Sequence, residues 1–427
     1  MKTNELEPTN PEKLLVIGNG FDLACSLKSN ISSYLDYAKN KFMPQNFAVI
    51  LKEVQKYFDE NQSWTEGGQT GQPRVESLIG NPNNPTARLL GNVISERINF
   101  WDLLFAERKN IDKEWNDVES EIKDVTEGLK TISIKELLMK SEYSLNSSQL
   151  KSYVLLLDIL SKLRNEFPSN LVEDDNFLIN ELQSFENNFA AYLQEQFSSE
   201  IHSGYRDYLN ESEELLQRLS GDSEYNILSF NYTQPYLWTN NEHLHTYKNV
   251  HGHIGRPDTD ETSNIIFGID STDVSPNDSS YKFTKTYRDL FDSDASKSKD
   301  LLDSNINEII FYGHSLSKAD YSYFLSLFDH YQIYSNTNVS LTFAYNPYIS
   351  GMLPRQVKED QFKKLSSLLF EYGDTLEQNH GNNLLHKMIL EGRIKIIPRF
   401  ATHYAHWKYY LNKALASYLQ GVKALFR

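Results

Sequence analysis

The stretch Lys13-Leu-Leu-Val-Ile-Gly-Asn-Gly-Phe-Asp22 decides the fold. Its residues 14–17 are apolar and run into a glycine, which is typical of a buried strand in a parallel sheet. Gly18 and Gly20 permit a tight turn, and we expect a helix to follow it. The N–H groups that begin a helix favour phosphate, so this turn is a candidate nucleotide site. Leu23 stands where the dinucleotide fingerprint has its third glycine, and a strand–turn–helix unit without a ligand explains the pattern equally well.

Composition narrows the class of protein. The chain has 427 residues, enough for two or three domains. Its formal net charge of -16 argues against nucleic-acid partners, since the phosphates would be repelled. The single cysteine, Cys25, excludes an intramolecular disulfide and a cysteine-based zinc module, and it fits a cytoplasmic location. No run approaches the ~20 apolar residues of a membrane span, so we expect no membrane partner.

Strand patterns recur along the second half of the chain and alternate with helical patterns. Such alternation predicts an α/β fold, with a Rossmann-like parallel sheet flanked by helices. The predicted core comprises residues 13–45 and 221–427. After the opening strand, its predicted strands are Tyr225–Phe230, Asn264–Phe267, Glu308–Tyr312, Val339–Ala344 and Ile394–Ile397.

A helical region interrupts this α/β pattern. Residues 46–220 keep apolar residues at helical spacing and are predicted to form a large all-helical insertion domain. Within it, residues 61–87 are rich in Gly, Asn, Gln and Pro and are predicted to be a flexible loop. Two further helices are predicted at Leu23–Tyr37 and His403–Leu419.

Small and polar residues follow several of the predicted strands. They are Asn231-Tyr-Thr233, Val250-His-Gly-His253 and Gly313-His-Ser-Leu-Ser-Lys-Ala-Asp320. Because the carboxyl ends of parallel strands share one edge, where ligands bind in such sheets, we expect these residues to form a site.

Each polar residue also has a structural explanation. Asn231 could cap the helix that follows it. Asp22 could cap or complement a helix N-terminus, although a ribose hydroxyl or a polar network suits it better as a partner. His251 and His253 could bind a metal, but we expect the two side chains to point apart, and the sequence near them has neither cysteine nor clustered carboxylates to complete a metal site. A histidine beside a glycine at a sheet edge suits base chemistry near neutral pH.

Several motifs, in this order, resemble the AbiH family of bacterial abortive-infection proteins. The resemblance spans residue 14 to about residue 330, and the family is in turn distantly similar to sirtuin-like NAD-binding domains. The motifs are Gly18-Asn-Gly-Phe-Asp-Leu23, Trp115-Asn-Asp-Val-Glu119, Ser229-Phe-Asn-Tyr-Thr233, His251-Gly252, Ile265-Ile-Phe-Gly268, Phe283-Thr-Lys285 and Gly313-His-Ser-Leu316 followed by Asp320.

The sirtuin-like similarity implies roles for individual residues. Gly18 and Gly20 would hold the pyrophosphate of NAD, Asn231 would position the ribose or a water, and His251 would be the base. Gly313 and Ser315 would contact the adenosine side. The implied nucleotide-binding set also includes Asn19, Phe21, Asp22, Thr233 and His314. Defence-linked relatives often have Asp where this chain has Thr233. From the motif Trp115–Glu119 we expect Asp117 or Glu119 to engage a ribose hydroxyl or Lys285.

These residues and the resemblance lead to one functional expectation with two alternatives. The chain is expected to be an anti-phage abortive-infection effector that binds NAD and hydrolyses its N-glycosidic bond. One alternative is a nucleotide-sensing or scaffold protein without turnover. The other is a metal-dependent nuclease using Asp22, His251, His253 and His314. Because toxic NAD cleavage needs restraint, we expect homo-oligomer assembly or a phage-derived activator.

Overall fold

The structure is a computed structural model. It describes residues 10–60, 65–66, 69–70, 83–108, 115–128, 148–166, 176–197, 202–239, 241–257, 259–272, 274–292, 300–347, 352–376 and 381–400.

Six parallel strands form the main sheet and confirm the predicted α/β class with a Rossmann-like sheet. Its strands are β1 (Lys13–Ile17), β4 (Tyr225–Ser229), β5 (Leu244–Asn249), β6 (Glu308–Tyr312), β7 (Ser340–Tyr345) and β8 (Ile394–Pro398). A short antiparallel hairpin, β2 (Thr65–Glu66) and β3 (Gln69–Thr70), lies outside it. The sheet order is β5-β4-β1-β6-β7-β8.

The strand order places a reversal at the centre of the sheet. β1 pairs in parallel with β4 on one side and with β6 on the other, with Ile17 opposite Ser229 and Tyr312. The chain moves outward from β1 to β5 and then returns to build β6, β7 and β8. In open parallel sheets, ligands bind outside the carboxyl ends of the strands, near the point where the strand order reverses.

Both faces of the central strands are covered, which explains why β1 reads as a continuous apolar run. On one face Leu14, Val16 and Phe311 lie in a core with the helices Tyr321–His330 and Pro354–Thr375. On the other face Leu15 and Ile17 are also fully buried.

Two strand predictions differ from the structure. Residues Asn264–Phe267 form no strand, although Ile265, Ile266 and Phe267 are apolar and buried. Ile269 makes only an isolated parallel bridge to Thr284. Residues Leu244–Asn249, just before the Val250–His253 segment, form a full strand, β5, which pairs with β4 at the sheet edge and is not among the predicted strands.

The predicted helix Leu23–Tyr37 is broken into two helices. Gly20–Ala24 ends before Ser26, which has a φ of 66°, and Ile31–Lys41 begins after Asn30. The Asn30 side chain caps the second helix by accepting from the Ser33 N–H at 2.8 Å. The remaining helices of the described chain are Phe47–Glu60, Pro85–Leu90, Phe100–Glu107, Trp115–Gly128, Ser148–Arg164, Phe177–Glu195, His202–Ser220, Pro235–Trp238, Lys285–Asp292 and Leu384–Leu390.

The chain divides into two compact units. The sheet unit contains residues 1–29, 193–264 and 292–427, and the helical unit contains residues 30–192 and 265–291. This grouping assigns residues 30–45 and 265–291 to the helical unit and residues 193–220 to the sheet unit. Whether residues 46–220 fold independently, as the predicted insertion domain requires, stays a prediction.

Some sequence predictions fall partly or wholly outside the described residues. The predicted helix His403–Leu419 lies outside them, as does most of the predicted loop 61–87. The described parts of that loop contain the β2–β3 hairpin and the start of the helix Pro85–Leu90. No helix in the described part of the chain has the length and apolarity needed to cross a membrane.

Candidate functional site

The turns after β1 and β6 interlock through glycines at the centre of the sheet. The Gly20 N–H donates to the Gly313 carbonyl at 2.7 Å. A Cβ on Gly20 would lie 2.7 Å from Gly313 Cα, and one on Gly313 would lie 2.3 Å from Phe21 N. Gly313 also has a φ of 68°. Side chains are therefore excluded from this crossing.

The backbone donors of the first turn are bonded within the protein. The Gly18 N–H donates to the Tyr312 carbonyl at 3.0 Å, and the Phe21 N–H donates to the Gly18 carbonyl at 2.8 Å. These contacts account for the glycine spacing without a ligand. The part of Gly18 and Gly20 in holding a pyrophosphate stays a prediction.

Asp22 lies at the centre of a buried polar network and is only 1% exposed. Its carboxylate accepts from Tyr208 Oη at 2.8 Å, from Thr233 Oγ1 at 2.9 Å and from Asn231 Nδ2 at 3.2 Å. Burial raises the pKa of Asp22 to about 7, and the three hydrogen bonds oppose that rise. The polar network expected for Asp22 is therefore present.

Asn231 follows β4 and is held by Asp22. Gln234, and not Asn231, is the N-cap of the helix Pro235–Trp238, so the capping explanation for Asn231 is wrong. With its Nδ2 on Asp22, the amide turns its Oδ1 away from the carboxylate. This buried oxygen has no hydrogen-bond partner among the described residues. A buried acceptor without a donor is costly, so Oδ1 is the atom where a ligand donor fits.

His251 lies after β5, next to a carboxylate that it shares with a second histidine. Its Nε2 is 3.3 Å from Asp320 Oδ1, and His314 Nε2 is 3.4 Å from Asp320 Oδ2. All three side chains are buried. The structure thus brings two residues from the sequence-predicted set, His251 and His314, to one carboxylate.

Gly252 explains how the chain turns after His251. Its φ is 71°, and a Cβ there would lie 1.9 Å from the Asn264 carbonyl oxygen. The Asn264 side chain accepts from the His253 N–H at 2.8 Å. Only glycine fits between these two segments, which fixes the direction in which His251 leaves β5.

Phe230 packs against both imidazoles. Its ring lies edge-on to His251 and to His314, with centroid distances of 5.4 Å and 4.5 Å. Phe324 contacts Phe230 and His314 at 5.3 Å and 4.9 Å. These rings exclude water and restrict rotation of the imidazoles.

The other predicted site residues have separate positions in the structure. The Asn19 side chain accepts from Ser29, and the Phe21 ring is buried against Tyr312. Ser315 is half-buried in the turn after β6. His253 does not join His251, because its Nδ1 lies 3.0 Å from the Ile254 carbonyl. Across the described ranges, no three His, Cys, Asp or Glu side chains are arranged to hold a metal ion.

Sequence reasoning missed Tyr208 and gave Asp320 no role. Tyr208 lies on the helix His202–Ser220, which was assigned to the insertion, and no pattern in that helix marks the residue. Asp320 closes the Gly313–Asp320 motif, so its position in a strand-end segment was the available signal.

The helical unit has buried charge pairs of its own. Lys285 Nζ is 2.5 Å from Glu119 Oε1, which confirms that Glu119 engages Lys285. Arg288 forms a two-pronged pair with Glu186 and also donates to the Phe267 carbonyl at 2.9 Å. The side chain of Asp117 lies outside the described residues.

Comparison with known proteins identifies the family. Residues 14–345 match the family model described as bacteriophage abortive infection AbiH. A search of curated proteins found no match. Because the matched region exceeds half of the chain and includes every strand-end motif described above, the chain belongs to the AbiH family.

Proposed function

We propose that this AbiH protein acts as an abortive-infection effector that binds NAD and hydrolyses the N-glycosidic bond to nicotinamide. Membership of the AbiH family supports a role in bacteriophage abortive infection. The nucleotide and the reaction are the proposal. They are supported by the sheet order and by the residues at the carboxyl ends of β1, β4, β5 and β6.

One observation carries the proposal. Asn231 and His251 follow the neighbouring strands β4 and β5, and Asn231 presents a buried, unbonded Oδ1 at that edge. An amide oxygen accepts from a ribose hydroxyl or from a water. An imidazole in reach of the same ligand takes up a proton near neutral pH.

The proposed reaction is a displacement at C1′ of the nicotinamide ribose. The bond between C1′ and the pyridinium nitrogen breaks, and its electron pair leaves with neutral nicotinamide. A water oxygen bonds to C1′, and His251 accepts the proton that the water loses. Asn231 orients the ribose or the water, which lowers the barrier through positioning.

The remaining nucleotide-binding residues follow from the same proposal. Gly18, Asn19, Gly20, Phe21 and Asp22 border the pyrophosphate and ribose. The other four, Thr233, Gly313, His314 and Ser315, complete the nucleotide site. The reaction is proposed to occur in the cytoplasm, under control of oligomer assembly or of a phage-derived activator.

The test is nicotinamide release from NAD by the purified protein, followed by liquid chromatography. We expect release by the wild type and a loss of about 100-fold or more for both His251→Ala and Asn231→Ala, since each removes a group that acts on the reacting centre. His253→Ala is the matched control, because His253 lies two residues from His251 and is bonded to a neighbouring carbonyl instead. It should retain full activity.

Two outcomes would contradict the proposal. If both variants release nicotinamide as fast as the wild type, the residue roles are wrong. If NAD stays intact with the wild type under assembly-promoting and phage-lysate conditions, while a nucleotide remains bound, the sensing alternative is correct. The nuclease alternative gains no support from the described residues, since His251 and His253 have different partners.

A further inference from the structure

The carboxylate of Asp320 is in an unusual position for a helix N-cap. Asp320 is the N-cap of the helix Tyr321–His330, yet its side chain makes no capping hydrogen bond. An aspartate at this position ordinarily accepts from a backbone N–H of the first turn. Here both carboxylate oxygens face imidazoles instead, one from the segment after β5 and one from the turn after β6.

The proton position on His314 follows from its backbone partner. The Leu316 N–H donates to His314 Nδ1 at 2.9 Å, so Nδ1 carries no proton. In the neutral ring the proton is therefore on Nε2, the atom that faces Asp320. The turn that presents this N–H contains two residues with positive φ, Gly313 at 68° and Leu316 at 53°. Backbone in that region is uncommon for leucine.

His314 and His251 face the same carboxylate. His314 Nε2 is 3.4 Å from Asp320 Oδ2, and His251 Nε2 is 3.3 Å from Asp320 Oδ1. Because Nε2 of neutral His314 carries the proton, it can act only as a donor toward this carboxylate. With its proton on Nε2, neutral His251 would accept a second proton at Nδ1. A buried carboxylate that faces an imidazole also stabilises the imidazolium that forms.

We propose that Asp320 is a positioning residue for His251, and that His314 is the donor that holds Asp320 in place. The three side chains form one His–Asp–His unit in which Asp320 sets the tautomer of His251 and raises its basicity. The inference rests on the proposed function only in naming His251 as the base. Among the described residues, the rings of Tyr323, with a centroid distance of 6.3 Å, and of Phe230 also face His251.

The first test is a histidine titration by NMR on the full-length protein, which requires no NAD turnover. Asp320→Asn keeps the shape of the side chain but removes its negative charge. We expect the pKa of His251 to fall by about one unit or more in this variant, because the imidazolium loses its counter-charge. Asp374→Asn, on the exposed face of the helix Pro354–Thr375, is the matched control and should leave the titration unchanged.

The second test is the pH profile of nicotinamide release. In Asp320→Asn the acid limb of kcat/KM should move to lower pH, and kcat should fall by about 100-fold or more while KM for NAD changes little. His314→Asn offers a second variant in case Asp320→Asn does not fold. Its amide oxygen can accept from Leu316, but it has no donor in place of Nε2, so a smaller shift in the same direction is expected.

The outcomes separate the two proposals. A His251 titration that is identical in the wild type, Asp320→Asn and His314→Asn would overturn the positioning role. A shifted titration without any release of nicotinamide by the wild type would support the His–Asp–His unit and contradict the proposed NAD reaction.

Discussion

At the scale of single residues, Asp22 is a carboxyl group that lies almost wholly out of contact with water. Its carboxyl is fully enclosed and its pKa is raised to about 7, mainly by burial. In the unfolded chain the pKa returns to near 4. Between these values the folded protein holds a proton that the unfolded chain has released, so Asp22 stabilises the fold at low pH. That stabilisation is complete below about pH 4 and is lost as the pH rises through 7.

Asp22→Asn should therefore change stability in a pH-dependent way. The asparagine can keep the contacts to Tyr208, Thr233 and Asn231, since the Thr233 hydroxyl can accept as well as donate. The free energy of unfolding of the variant minus that of the wild type should be about 2–3 kcal/mol larger at pH 8 than at pH 5, because only the wild type loses stability as the pH rises. Urea unfolding of both proteins at the two pH values measures this difference. If the free energies of unfolding of the variant and the wild type differ by the same amount at both pH values, Asp22 is ionised in the folded protein at both.

Sequence analysis could find only those residues whose position follows from the strand topology of the sheet. Asp22, Asn231 and His251 were found because each follows a strand, and parallel strands bring their carboxyl ends to one edge. Their partners could not be found in the same way. Tyr208 comes from a helix whose apolar pattern gives no sign of a buried hydroxyl, and the pairing of Asp320 with two histidines depends on side-chain directions that spacing does not define.

At the scale of elements, the turns after β1 and β6 cross in close backbone contact. The contribution of this crossing to stability can be tested by comparing Gly313→Ala with Gly221→Ala. Both glycines have positive φ, but a Cβ at Gly221 meets nothing within 4 Å, whereas at Gly313 it would overlap the backbone of Gly20 and Phe21. Gly221→Ala should cost about 1 kcal/mol of stability from backbone strain. Gly313→Ala should cost about 4 kcal/mol or more.

Thermal and urea unfolding of the two glycine variants give the comparison. Equal losses would mean that the turns can separate without penalty and that the interlock adds nothing beyond backbone conformation. A larger loss of stability for Gly313→Ala would give the contribution of the packing between the two turns, because both variants carry the backbone strain of a positive φ.

Element predictions succeeded where burial on both faces produces an uninterrupted apolar run. β1 and β6 follow this rule, since each has four consecutive buried apolar residues, whereas β8 at the sheet edge is only partly buried. The segment Asn264–Phe267 has the same composition, but its backbone is bonded elsewhere: the Phe267 N–H donates to the Glu186 side chain at 2.7 Å. The buried Glu186 carboxylate thus accepts the backbone hydrogen bond that a neighbouring strand would otherwise accept. No local sequence pattern indicates such a partner.

At the scale of the whole molecule, the helical unit depends on residues on both sides of the predicted insertion. Tyr34 donates to the buried Asp102 at 2.6 Å, and its ring packs against Phe185 and Phe189. Arg288 balances the charge of the buried Glu186. Both Tyr34 and Arg288 lie outside residues 46–220, so this predicted domain lacks one of the donors to Asp102 and the cation that pairs with Glu186.

A fragment of residues 46–220 should therefore fail to fold cooperatively. Removing the cation of a buried ion pair costs about 3–5 kcal/mol, and the lost hydrogen bond to Asp102 adds to that cost, which is comparable to the stability of a small domain. Near-ultraviolet circular dichroism and thermal melting of the fragment, beside the full-length chain, provide the measurement. A sharp melting transition in the fragment would establish the predicted boundary as a true domain limit.

The central place of β1 also determines when the site can form during synthesis. β1 is made among the first 20 residues, yet both of its neighbours, β4 and β6, are made more than 200 residues later. At about 5–20 residues per second, the ribosome needs roughly 10–40 s to supply β4, and longer to supply the glycine turn after β6. A nascent chain consequently carries no assembled strand-end site. Under the proposed reaction, unfinished or truncated chains would leave cellular NAD intact.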